Sequence, residues 1–175
     1  MSNVWTGEGP TRRRRSDRLQ ISLVIGILLL LEFYLRPSLV EGRGMPDFLL
    51  LTLLILCLRL SPGWAAVTGL LVGATIDVLT PARFGANMLV HTLIGYASAW
   101  GRAVFFADHV VVAAGLFFAG TWIRNVLVLL LSGAPVARLG AEAVFWGPLQ
   151  AGSTALVGTA VVILFRDWLA IRIDR

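Results

Sequence analysis

Lysine is missing from the 175 residues; every one of the fifteen cations is an arginine. Charge of either sign is scarce, at 14% of the chain against 57% hydrophobic residues, a balance unlike that of a soluble domain. Cysteine occurs once, as Cys57 inside an apolar run. That excludes an intramolecular disulfide and makes Cys57 a small core or lipid-facing side chain. His-Glu-x-x-His, Cys-x-x-Cys and glycine-rich phosphate loops are all absent, and Gly152-Ser153 lacks the flanking residues of a nucleophile elbow. The reading is a non-enzyme that needs no cofactor and no metal. No Ser/Pro-rich linker divides the chain, which reads as one domain.

Apolar runs fill the space that charge leaves. They cover approximately 19–35, 46–60, 64–80, 86–106, 109–132 and 142–165. In lipid every backbone polar group must be paired internally, and these runs are too long and too evenly apolar for barrel strands. The expected fold is an all-α integral membrane protein, a six-helix transmembrane bundle over 19–165. A basic amino-terminal segment, 1–18, precedes it, and a tail, 166–175, reads as an interfacial helix. Spans two and three fall short of the roughly twenty residues that cross a ~30 Å core. They must sit in thinned bilayer, be shielded by longer neighbours, or extend through their loops. The alternative is a re-entrant hairpin over 46–80, although Ser61-Pro62-Gly63 is a competent turn between two full helices.

Orientation follows from the arginines. Arg12 to Arg15 and Arg18 stand directly before the first run, where the positive-inside rule puts a cytoplasmic anchor and anionic headgroups supply the counter-charge. This is a membrane-lipid signal, not a nucleic-acid patch. Glu32, Arg36 and Pro37 follow the run with no A-x-A-like site, so it reads as a retained signal anchor. Six spans then place both termini in the cytoplasm of a bacterial inner membrane. Arg59, Arg102, Arg166, Arg172 and Arg175 add to the inner count, whereas Arg36, Arg43, Arg83 and Arg138 fall outside. Trp64, Trp100, Trp146 and Trp168 lie near predicted span ends, where indoles favour the interface.

An ionisable group inside a span needs a partner or a wet cavity. With a rise of about 1.5 Å per residue, Glu32, Asp47, Asp77, Asn87, His91, Arg124, Asn125 and Gln150 all fall in the outer half of the membrane, with Arg83 beside them in a loop. This asymmetry suggests a polar pocket open to the periplasm or a surface that accepts a partner there. The plainer reading is internal pairing, Glu32 with Arg36 and Asp77 with Arg83 or Arg124. His91 reads as a buried, hydrogen-bonded histidine; His109 falls on the opposite side and cannot cooperate with it. Small residues repeat every four positions on the same helices: Gly69, Gly73 and Asp77; Asn87, His91, Gly95 and Ala99; Gly147, Ala151 and Ala155. Such stripes let helix backbones approach closely, so these faces are expected to turn inward.

Residues 46–97 also carry a resemblance. Pro46-Asp47 opens an aliphatic helix, a short turn holds Pro62, and a glycine-rich helix ends in Gly73-x-x-x-Asp77. Gly85 opens the next helix, which runs to Gly95-Tyr96. This resembles the central part of the MreD family, with Gly-Ala-Thr-Ile-Asp where the family has Gly-Leu-x-x-Asp. The resemblance implies a non-enzymatic scaffold of the bacterial elongation (Rod) complex that binds MreC and helps control peptidoglycan synthesis and rod shape. RodA, a class B penicillin-binding protein and MreB are the implied fellow members. The family is also similar in fold to the substrate-binding S-components of energy-coupling-factor vitamin transporters, which gives the alternative reading. Against it, the first span offers Ser22-x-x-x-Gly26 among bulky aliphatics, not the A-x-x-x-A docking pattern those proteins carry. A third reading is a retained pocket for a lipid or a peptidoglycan precursor, with Arg124 and Asn125 meeting an anionic headgroup.

Overall fold

The computed structural model describes residues 10–35, 44–80, 84–105 and 110–165, all in helices and the short turns between them. Helix α1 spans Pro10–Leu30 and closes in a π-helical turn, Leu31–Leu35. Then come α2 (Phe48–Cys57), α3 (Pro62–Leu79), α4 (Ala86–Phe105) and α5 (Val110–Leu131). A last continuous run holds α6 (Val136–Ala141), a π-helical turn (Glu142–Trp146) and α7 (Gly147–Leu164). The described residues thus give six helical segments and a helical membrane protein. Helix α3, helix α5 and the run Val136–Leu164 are each long and apolar enough to cross a membrane.

Local chemistry sets several of these ends. Pro62 stands in the first turn of α3, where its missing N–H costs nothing. Gly85 turns the chain into α4 at φ 94°, a left-handed conformation that favours glycine. The last run starts six residues earlier than its apolar stretch suggests, because Arg138 and Gly140 lower the hydropathy of α6 without breaking the helix. Inside that run the Gly147 N–H bonds the Glu142 carbonyl, five residues back. Residue 148 is proline and has no N–H to give, so the Ala143 carbonyl loses its partner along the helix. The Trp122 indole of α5 supplies one, at 2.9 Å.

The ten-residue α2 is the axis of the molecule. It touches α1, α3, α4, α5 and α7, and nine of its residues, Phe48 to Ile55 and Cys57, are buried. At about 15 Å it covers half of a ~30 Å hydrocarbon layer, and longer neighbours shield it on every side. Of the three ways a short span can be accommodated, shielding is the one visible here. Helices α2 and α3 are separate, joined through Leu58–Ser61. Cys57 is a core residue whose thiol meets the Gly95 carbonyl at 3.5 Å.

Around this axis the usual distribution is inverted. Outward positions hold Leu71, Leu93, Leu130, Leu156 and many other large apolar side chains, while Asp77, His91, Thr121 and Thr154 are buried. An apolar surface of that extent in water would be an aggregation site; in lipid it is simply solvated.

The tightest contact is the α3–α4 hairpin. Ala65 faces Gly95, Gly69 faces His91 and Gly73 faces Asn87, stepping along two antiparallel helices four residues at a time. At each of these glycines a methyl group would lie less than 3.0 Å from the opposing carbonyl oxygen. Backbone therefore rests on backbone.

Candidate functional site

Successive helices alternate in direction, so the C-terminal ends of α1, α3 and α5 and the N-terminal ends of α2, α4 and α7 share one end of the bundle. The buried polar side chains gather there in two groups, each built around the start of a helix. The first four N–H groups of a helix lack partners within it. In lipid no water replaces them. Two of these helices, α2 and α4, begin inside the protein.

At α4 the partner is Asp77, near the end of α3 and fully buried. Its carboxylate accepts from the backbone N–H groups of Gly85 (2.9 Å), Asn87 (3.2 Å) and Met88 (2.9 Å), and from the Asn87 side-chain amide (2.9 Å). A negative charge at a helix N-terminus is further favoured by the aligned peptide dipoles. One turn on, the Nδ1 of His91 lies 2.8 Å from the Asn87 carbonyl. His91 is completely buried, with its backbone against Gly69.

At α2 two acids share the task. Asp47 accepts from the Leu50 N–H at 2.9 Å as the capping residue, and Glu32, in the π-helical turn of α1, accepts from the Phe48 N–H at 3.2 Å. The Asp47 N–H donates to the Thr154 hydroxyl of α7 at 3.2 Å. Arg124 of α5 brings the opposite charge, 3.2 Å from the Asp47 carboxylate. It also donates to the Asn125 side chain at 3.0 Å, and Asn125 donates in turn to Gln150 of α7 at 2.7 Å. Thr154 closes the circuit by donating to the Gln150 carbonyl at 2.8 Å. One chain of contacts thus ties α1, α2, α5 and α7 together.

The residues singled out in the sequence separate accordingly. Asp77, Asn87 and His91 belong to the α3–α4 hairpin, and Glu32, Asp47, Arg124, Asn125 and Gln150 to the other group. Arg124 pairs with Asp47 and not with Asp77, whose oxygens are taken by amides of α4. Arg36 and Arg83 lie outside the described residues. The glycines Gly69, Gly73 and Gly95 line the hairpin seam, and Gly147 lies against the Glu142 carbonyl and Trp122. Sequence reading missed Thr154, Trp122 and Gly158. Thr154 stands four residues after Gln150 on one helix face, a spacing that could have flagged it. Gly158 sits against Leu51 and Phe117, and nothing in its local sequence marks it.

Chemically the arrangement holds helix ends in place. Among the described residues no group of three or more His, Cys, Asp or Glu side chains is placed to hold a metal ion. No curated protein and no solved structure matches the chain. A model of the rod shape-determining protein MreD matches residues 14–147, from the basic part of α1 to the first residue of α7. That stretch carries Glu32, Asp47, Asp77, Asn87, His91, Arg124 and Asn125, and because it covers well over half of the molecule the chain belongs to the MreD family.

Proposed function

We propose that this MreD-family protein is a non-enzymatic scaffold of the elongation (Rod) complex. In this reading it binds MreC through its transmembrane helices and helps control peptidoglycan synthesis, alongside RodA, a class B penicillin-binding protein and MreB. It lies in the inner membrane with both termini in the cytoplasm and its polar end towards the periplasm. A rod-shape-determining role follows from the family; the partners and the orientation are the proposal. The observation that supports a scaffold is the use made of the buried acids. Asp77, Asp47 and Glu32 each accept from backbone N–H groups at a helix N-terminus, which favours a rigid body over a reaction centre.

Co-purification with full-length MreC tests the reading. Capture should survive detergent extraction and fall when Gly73→Leu forces α3 away from α4. Tight vitamin binding without MreC capture would instead make the protein a transporter S-component. Orientation has its own test: a cysteine placed at Arg83 should react with an impermeant thiol reagent from the periplasmic side, and labelling from the cytosol would invert the molecule.

A further inference from the structure

The helical run that ends the described chain is too long for the bilayer that its outer face implies. Val136–Leu164 holds 29 residues, about 43 Å of helix against a hydrocarbon layer of ~30 Å. Its lipid-facing stripe is Leu149, Leu156 and Ile163, exposed to 55%, 75% and 51%. Phe145 continues that stripe, and the rise from Phe145 to Ile163 is about 27 Å, which already fills the apolar layer. The segment Val136–Ala141 therefore lies at headgroup depth.

Neither α6 nor the π-helical turn contains a buried residue. Val136 is 83% exposed, Val144 64% and Phe145 70%, with Trp146 partly open beside them. Arg138 is also exposed, with Glu142 following four residues later. We propose that Val136–Trp146 is a lipid-binding foot, seated on the phospholipid headgroups of the leaflet at the polar end. Three features select a phospholipid surface as the occupant. Val144 and Phe145 extend the lipid-facing stripe of α7 towards α6, and Val136 adds an exposed apolar group at its far end. Phe145 and Trp146 stand where that stripe reaches the interface, the depth aromatic rings favour. Arg138 complements headgroup phosphate. The Trp122–Ala143 hydrogen bond holds the turn on α5, so the foot keeps a fixed height relative to the bundle.

The test uses the full chain in phosphatidylcholine–phosphatidylglycerol nanodiscs. With Cys57→Ala as background, single nitroxide labels at 136, 144, 149 and 156 are compared for collision with oxygen and with a water-soluble nickel chelate. Oxygen preference should rise steadily from 136 to 156, with 136 and 144 at headgroup depth. Nickel access at 136 and 144 equal to that of a label in free water would overturn the proposal. So would shielding from both reagents, which would mean that protein covers the segment. In the unmodified chain, a phospholipid with a headgroup diazirine should leave adducts within 136–146; adducts confined to other segments would overturn it equally.

Discussion

Gly73 rests on the Asn87 carbonyl so closely that there is no room for a methyl group between α3 and α4. The opposing atoms are backbone, which cannot swing aside as a side chain could. Gly73→Ala should therefore cost about 1–3 kcal/mol through overpacking, outweighing the ~1 kcal/mol by which alanine suits a helix better than glycine. Gly152, on α7, has nothing within 4 Å of the same position, so Gly152→Ala should be neutral or slightly stabilising. Thermal unfolding of both variants in one detergent checks the contrast, and equal effects would refute the seam.

Asp77 is the sole acid at the start of α4 among the described residues, and it takes three backbone N–H groups. Asp77→Asn keeps one acceptor oxygen but turns a donor amide towards the rest, at about 1–3 kcal/mol. Asp77→Leu leaves all three amides bare and should cost more. Hydrogen exchange at Gly85, Asn87 and Met88 should accelerate in both variants, Leu exceeding Asn. Unchanged protection there would remove the capping role, and intact expression, MreC capture and rod shape in Asp77→Leu would remove any role for this side chain.

The Asp47–Arg124 pair is nearly sealed from solvent. Breaking such a pair from one side strands a charge, at about 3–5 kcal/mol. Asp47→Asn and Arg124→Gln should each be severe, while the double variant should cost clearly less than their sum. A double-mutant cycle on stability measures this; strict additivity would mean that the two charges do not interact.

Trp122→Phe removes the donor that satisfies the Ala143 carbonyl. The expected cost is about 1–3 kcal/mol. Pro148→Ala restores an N–H to the helix, so in that background the same change should cost less. Failure of that rescue would argue that the tryptophan acts by packing alone.

Much of the architecture was legible because lipid imposes a simple rule on sequence. The apolar runs located the six helical segments, and the four-residue repeats of Gly69, Gly73 and Gly95 marked a real seam. The polar end was legible too, since alternating direction gathers Glu32, Asp47, Asp77 and Arg124 at one level. Their partners were not. Arg124 chooses Asp47 over Asp77 because α2 and α5 are neighbours in space, which no spacing along the chain records. The use of Asp77 as a cap depends on where α4 starts relative to α3, a matter of packing. Helix α6 escaped because apolarity locates the part of a helix in hydrocarbon and says little about the part beyond it.

A ten-residue helix wrapped on all sides also constrains how the protein is made. Helix α2 is too short to be inserted as an independent span, and its capping residue Asp47 is partnered by Arg124 and Thr154, which leave the ribosome long afterwards. Until α5 and α7 arrive, Asp47 must wait in water or at the interface. Insertion of the middle of this protein is thus completed from its carboxyl-terminal half, and chains stopped before α5 are expected to be quality-control substrates.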